Sequence, residues 1–211
     1  MEIRLSILSD LEQIGQCHKA AFPESLSSKL GSAFRMEMLS WYIIDERGIL
    51  FHVLENDMIV GYCGGVITKN PGLPGAATSI TQFSFRAFIK SFLIRPWLIL
   101  HPENISRFPF IFRNILMKIR VKKGISKTQT TQEHFQTFWG LVVIGVHPDC
   151  HGKGYGSALL QEFERLARID KVEKISLSVK RDNSKAINSY NANGWQVSST
   201  NSDSLNLMKK L

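Results

Sequence analysis

Apolar and polar positions recur along this chain with periods that separate strands from helices. "EIRLSI" (residues 2–7) alternates with period two and predicts a first strand. "SDLE" then has the form of a capping box, Ser9 closing a helix start and Glu12 reaching back. The helix beyond carries Leu11, Ile14 and His18 on its inner face until "FPES" breaks it. A second helix is expected over "SSKLGSAFRMEMLSWYII" (27–44). "ILFHVLENDMIVGYCGGVIT" (49–68) reads as two strands around an Asn56–Asp57 turn, and "NPGLPGAAT" as a loop. "TFWGLVVIGV" (137–146) is continuously apolar, the pattern of a strand buried on both faces. From 157 to 169 one helical face holds Leu159, Leu160, Phe163, Leu166 and Ala167; the other holds Gln161, Glu162, Glu164, Arg165 and Arg168. "KISLSVK" alternates, with Ile175, Leu177 and Val179 inward. "NSKAINSYNANGW" predicts a short helix capped by Asn183 and stopped at Gly194, and "NLMKKL" a last strand. Strands mixed with helices in this order predict an α/β (α+β) sheet domain.

Composition narrows this picture. The chain has 211 residues, enough for one well-cored domain, expected here to span 1–211 with an insertion at about 80–127. Three widely spaced cysteines (Cys17, Cys63, Cys150) form no C-x-x-C pair, which argues against a disulfide framework or zinc site and for a reducing compartment. "MEIRLSILSDLEQIG" lacks the layout of a signal peptide, and the apolar run "FLIRPWLIL" is too short to span a bilayer. The expected location is therefore cytoplasmic, or at a membrane surface. The formal net charge of +8 is local: residues 86–127 contain ten basic residues against one acid, Glu103.

The chemistry concentrates in "VHPDCHGKGYGSALL" (146–160). A glycine loop between an apolar strand and a helix is the geometry of an anion site, because free N–H groups at the helix start point outward. Glycine removes the Cβ that would hold a phosphate off the backbone. Two familiar loops are excluded. Lys153 is followed by Gly154 rather than Ser or Thr, against a Walker A loop, and G-x-G-x-G is not the dinucleotide fingerprint G-x-G-x-x-G. A glycine-rich turn without ligand remains the bland alternative.

Together with "LSVKRDNSKAINSYNANGW" (176–195), this stretch resembles the paired motifs of the GCN5-related N-acetyltransferase (GNAT) family. His151, Gly154 and Gly156 match the family's acetyl-CoA loop, with His151 standing where Gln or Arg is usual. Asn183, Ala186, Tyr190, Gly194 and Trp195 match its second motif. The resemblance implies a mixed, mostly antiparallel twisted sheet flanked by helices, and acetyl-CoA as cosubstrate without a metal. It implies that Gly152, Lys153, Gly154, Tyr155, Gly156 and Ser157, with His151, cradle the pyrophosphate. Ile144 and Val146 would offer main-chain groups to the pantetheine arm, and Asn183 a further hydrogen bond. Tyr190 lies where the family's proton donor sits, with packing beside the cofactor sulfur as its alternative role. No carboxylate stands on the apolar strand to act as base; Glu133, His134 and Glu24 read as surface residues, and His147 as shaping the turn with Pro148.

Residues 80–127 form a basic, aromatic insertion with Phe83, Phe85, Phe88, Phe92, Trp97, Phe108, Phe110 and Phe112. Phe108, Phe112, Ile115 and Ile119 share one predicted helical face. Such a helix can pack on the domain, line a groove for a phosphorylated acceptor, or rest on an anionic membrane surface. "FPESLSSKLG" resembles the opening of acetyltransferases encoded with bacterial surface-polysaccharide pathways, whose acceptors are amino sugars on nucleotide or lipid diphosphates. The partners expected are thus a small-molecule amine, phosphorylated in one reading, and a membrane surface in another. No nucleic acid is expected, for want of its usual motifs. The competing class is a basic RNA- or membrane-surface-binding protein with a vestigial acetyltransferase core.

Overall fold

A computed structural model describes residues 1–68, 75–101 and 137–211. Its centre is a seven-stranded sheet: β1 (Glu2–Leu5), β2 (Gly48–Glu55), β3 (Met58–Thr68), β4 (Phe138–Val146), β5 (Lys174–Lys180), β6 (Gln196–Thr200) and β7 (Ser204–Lys210). The order is β1-β2-β3-β4-β5-β7-β6, and every pair is antiparallel except β4–β5. The expected mixed, mostly antiparallel sheet is the one observed. β6, whose five residues are all exposed, carries no apolar alternation and escaped the sequence reading.

Helices cover both faces. On one lie α1 (Leu11–Ala21), α2 (Leu26–Lys29) and α3 (Ser32–Ile44), around a core of Leu11, Ile14, Leu39, Trp41, Leu50 and Tyr62. The capping box expected at Ser9 is not used. Asp10 instead accepts the Ile7 N–H at 2.8 Å and closes a 3-10 turn ahead of α1. The single helix expected over 27–44 is broken at Gly31, whose φ of +102° lies outside the helical region. On the other face, α6 (Tyr155–Ile169) buries Leu159, Leu160, Phe163 and Ala167 against the sheet. Full burial of each large member is worth about 1.5–3 kcal/mol. The following helix, α7 (Ser184–Ala192), adds Tyr190 to the same cluster.

Two findings depart from simple periodicity. Glu164 faces inward from α6, where its carboxylate accepts from Lys209 Nζ of β7 at 2.7 Å. β4 is not buried on both faces: Trp139, Leu141 and Gly145 are buried, but Phe138 and Val142 are exposed. The described part of the basic insertion is helical, with α4 (Ala76–Phe83), α5 (Phe85–Ile94) and a 3-10 turn at Pro96–Leu100. It packs on α2 and α3 through Leu26, Leu30, Phe34, Ala87 and Leu98. The helical face predicted on Phe108–Ile119 lies outside the described residues, as do Glu133 and His134.

Candidate active site

The site begins with a defect in β4. Leu141 pairs with Gly65 and Val143 with Gly64, so Val142 is an extra residue on its strand, a bulge. Phe163 of α6 makes glycine necessary at this point, since a Cβ on Gly65 would fall 2.5 Å from its ring. The bulge coincides with the end of the β4–β5 ladder, which pairs only Trp139, Gly140 and Leu141 with Ile175, Ser176 and Leu177. Beyond it, β4 keeps β3 as partner through Val146, while β5 continues on β7 alone. The two parallel strands therefore part, and Ile144 and Val146 lie on the opened edge of β4. A residue run apolar enough to be a buried strand is here partly exposed because its neighbour has left it.

After β4 the chain turns through Pro148–Cys150, with His147 at the N-cap of the turn as expected. His151 Nε2 lies 3.0 Å from the Val146 carbonyl, and Lys185 Nζ lies 3.0 Å from Nδ1. An ammonium only donates, so Nδ1 accepts and the proton sits on Nε2, which donates to the carbonyl. His151 thus ties the end of β4 to the start of α7. Gly152 (φ +80°) and Gly154 (φ +85°) are left-handed, and no atom lies within 4 Å of where either Cβ would be. Gly154 is the N-cap of α6 and no side chain caps the helix. Ala158 N–H is the first to bond back, to the Gly154 carbonyl at 3.0 Å. The N–H groups of Tyr155, Gly156 and Ser157 thus form the open first turn, which favours an anion. Backbone donors in front of empty Cβ positions are what a diphosphate requires, so these residues fit a coenzyme A pyrophosphate.

The side chains of the loop do other things. Lys153 Nζ stands 3.6 Å from Glu55 on β2. Tyr155 is buried, and its hydroxyl is pushed up to about 12 by the adjoining Glu55 carboxylate. Glu55, not singled out in the sequence, therefore tethers the loop to the β2–β3 hairpin from both sides of Gly154. Ser157 Oγ accepts from Asn193 Nδ2 at 3.2 Å. Asn183 Oδ1 accepts the Ala186 N–H at 3.1 Å, which makes it the cap of α7. Tyr190 is 9% exposed, and its hydroxyl is raised to about 12 by burial and then by Cys63, the residue registered opposite Ile144. Tyr190 and Cys63 belong to the same buried cluster between the sheet and α6.

Across the sheet a polar cluster appears that periodicity could not reveal. His18 Nδ1 is 2.5 Å from the Tyr62 hydroxyl and Nε2 is 2.8 Å from Ser27 Oγ. Burial, then Arg35, lowers the imidazole to about 4. Arg35 is itself 6% exposed, with Nη1 3.4 Å from the Ser28 carbonyl. The cluster reaches β4 at Gly145, where a Cβ would lie 2.8 Å from the Tyr62 ring and 3.0 Å from Phe22. The same crowding leaves no room for a carboxylate at that position. Glu24 is exposed, its carboxylate 2.5 Å from Lys29. Among the described residues, no group of three His, Cys, Asp or Glu is placed to hold a metal.

Comparison with known proteins agrees with this geometry. Residues 125–195 match the model of the acetyltransferase (GNAT) family. Over those residues the chain carries the signature of a GNAT acetyltransferase. The matched family is one of acyltransferases that use acetyl-CoA. The GNAT fold is shared, at 13% identity and TM-score 0.59 over 100% of both chains, with PaiA N-acetyltransferase from Thermoplasma acidophilum in complex with coenzyme A. It is shared at 15% identity and TM-score 0.56, again over 100% of both chains, with ribosomal-protein-alanine N-acetyltransferase from Brucella melitensis. The ribosomal-protein-S18-alanine N-acetyltransferase from Escherichia coli is similar at 13% identity and TM-score 0.54, over 99% of this chain and 92% of its own. No curated protein matches the sequence.

Proposed function

We propose that the chain transfers the acetyl group of acetyl-CoA to a primary amine by direct attack, with residues 151–157 holding the donor. The observation that carries this reading is the pair of left-handed glycines, open where their Cβ atoms would be, beneath the uncapped start of α6 and beside the parted strands β4 and β5. Acetyl-CoA supplies the acyl group as a thioester. Gly152, Lys153, Gly154, Tyr155, Gly156 and Ser157 bind its pyrophosphate through main-chain N–H groups, and His151 fixes the approach of loop to strand. The main chain at Ile144 and Val146 aligns the pantetheine arm. A backbone N–H on this edge stabilises the oxyanion formed on attack. Tyr190 keeps its proton at neutral pH and offers it to the departing thiolate. With no carboxylate on β4, the amine's proton leaves through solvent at the open end.

The acceptor in this reading is an amino sugar carried on a nucleotide or lipid diphosphate, as in surface-polysaccharide synthesis. The ten basic residues of 86–127 and the stretch "FPESLSSKLG" support it. A peptide N-terminus is the second reading, because fold neighbours include ribosomal-protein-alanine N-acetyltransferases. Calorimetric titration with acetyl-CoA and with CoA, repeated on Gly154→Glu, tests the donor site. Binding in the wild type, lost in a folded variant, is expected; a folded wild type that binds neither ligand would overturn the proposal. Thiol release with amino-sugar nucleotides against N-terminal peptides then separates the two acceptor classes.

A further inference from the structure

The outer face of α5 and the turn after it presents an unusual surface. Ile89, Leu93, Ile94, Trp97 and Leu100 are between 41 and 78% exposed. Interspersed among them are the exposed basic residues Arg86 and Lys90. Exposed apolar side chains are common singly, but a run of five within twelve residues marks a contact surface. The opposite face of the same segment is well anchored. Phe88 and Phe92 stack edge to face at 4.6 Å, and Phe34 of α3 lies 5.9 Å from Phe88. Arg95 Nη1 donates to the Leu30 carbonyl at 3.1 Å, fixing the segment to the α2–α3 turn. The exposed side chains therefore project from a held platform.

We infer that this platform is a docking surface for an anionic lipid bilayer. Charge chooses the occupant. No aspartate or glutamate occurs between Asp57 and Glu103, so the described stretch 86–101 carries Arg86, Lys90 and Arg95 with no acid among them. A second copy of the chain would bring Arg86 and Lys90 against their own kind, which opposes self-association. A nucleic acid would answer the charge but leave the five apolar side chains in water. An anionic bilayer answers both: basic groups stay among headgroups while Leu93, Leu100 and the Trp97 ring enter the acyl boundary. Trp97 suits that depth, having an apolar body and one N–H donor. No helix among the described residues is long and apolar enough to cross a membrane, so the contact is peripheral. It stands independently of acetyl transfer.

The protein carries its own probe. Of its four tryptophans, Trp41, Trp139 and Trp195 are no more than 2% exposed, and Trp97 is 65% exposed. Intrinsic fluorescence of the purified full chain should shift to the blue with vesicles of phosphatidylcholine mixed with phosphatidylglycerol. The protein should also sediment with them, and neither effect should appear with phosphatidylcholine alone. Trp97→Phe should abolish the shift and keep most of the sedimentation. Leu93→Asp should lower binding at least tenfold, the effect of removing one deeply inserted side chain and adding an anion. Its melting temperature and its calorimetric response to acetyl-CoA should stay as in the wild type. Equal binding to neutral and anionic vesicles, binding to neither, or full binding by Leu93→Asp would each overturn the inference. So would a blue-shifted Trp97 in a vesicle-free oligomer, which would assign the face to a second copy.

Discussion

The buried His18 should make this protein acid-sensitive well above the range where carboxylates titrate. Its imidazole sits between Tyr62 and Ser27, 5% exposed, with Arg35 as charged neighbour and a value of about 4 against 6.5 when unfolded. A lowered histidine holds its stabilising contribution above the unfolded value and loses it as pH falls toward the folded one. Linkage then predicts a loss of about 2 kcal/mol on going from neutral to pH ~5, and about 3 kcal/mol by pH ~4. His52 acts in the same direction, since burial lowers it too while its Nδ1 is held at 2.9 Å by Ser6 Oγ. Urea unfolding at steps from neutral to mildly acid pH measures the slope, and the variants apportion it. His18→Gln keeps a hydrogen-bonding side chain but cannot titrate, so stability should lose about one proton's worth of pH dependence, roughly 1.4 kcal/mol per pH unit. His52→Gln should retain the His18 share. A His18→Gln protein with the full wild-type slope would refute the reasoning, as would a wild type equally stable at neutral and mildly acid pH.

Three further outcomes are expected. Tyr190→Phe should lower kcat at least about tenfold with little change in KM for acetyl-CoA, because a proton donor acts on the departing thiolate rather than on binding; an unchanged kcat would assign the residue to packing. Lys209→Met removes the closer of the two cations on buried Glu164, leaving Arg168 at 3.8 Å, and should cost about 2 kcal/mol in denaturant unfolding, whereas Arg165→Met, breaking an exposed pair, should cost under about 1 kcal/mol. Gly65→Ala forces the Phe163 ring to move and should destabilise by about 1–3 kcal/mol, while Gly75→Ala, open on every side, should not show that clash.

Much of the fold was legible from local pattern. The hairpin turn at Asn56–Asp57 was readable because both residues tolerate positive φ, and both adopt it, at +50° and +59°. The helix after the glycine loop was readable because Leu159, Leu160, Phe163 and Ala167 fall on one face. The Asn183 cap and the Gly194 stop were readable because their chemistry is confined to a few residues. The glycine loop itself announced bare backbone at a strand–helix junction, and the structure puts Gly152 and Gly154 in conformations that bare backbone allows.

What tertiary structure decided is what depends on a distant partner. The break of the 27–44 helix at Gly31 goes with Arg95, whose guanidinium would lie 2.9 Å from a Cβ there, sixty-four residues away in sequence. Glu164 looks like a surface residue until Lys209 arrives from β7 to neutralise it. The parting of β4 from β5 has no local signature, since Val142 to Val146 remain as apolar as a buried strand. It comes from a bulge against Gly64–Gly65 and from the pull of β7 on the far edge of β5. The cluster of His18, Ser27, Tyr62 and Arg35 likewise joins α1, α2, α3 and β3. Periodicity and capping act within a few residues and are written in the sequence, whereas an open strand edge and a buried charge exist only once remote segments have met.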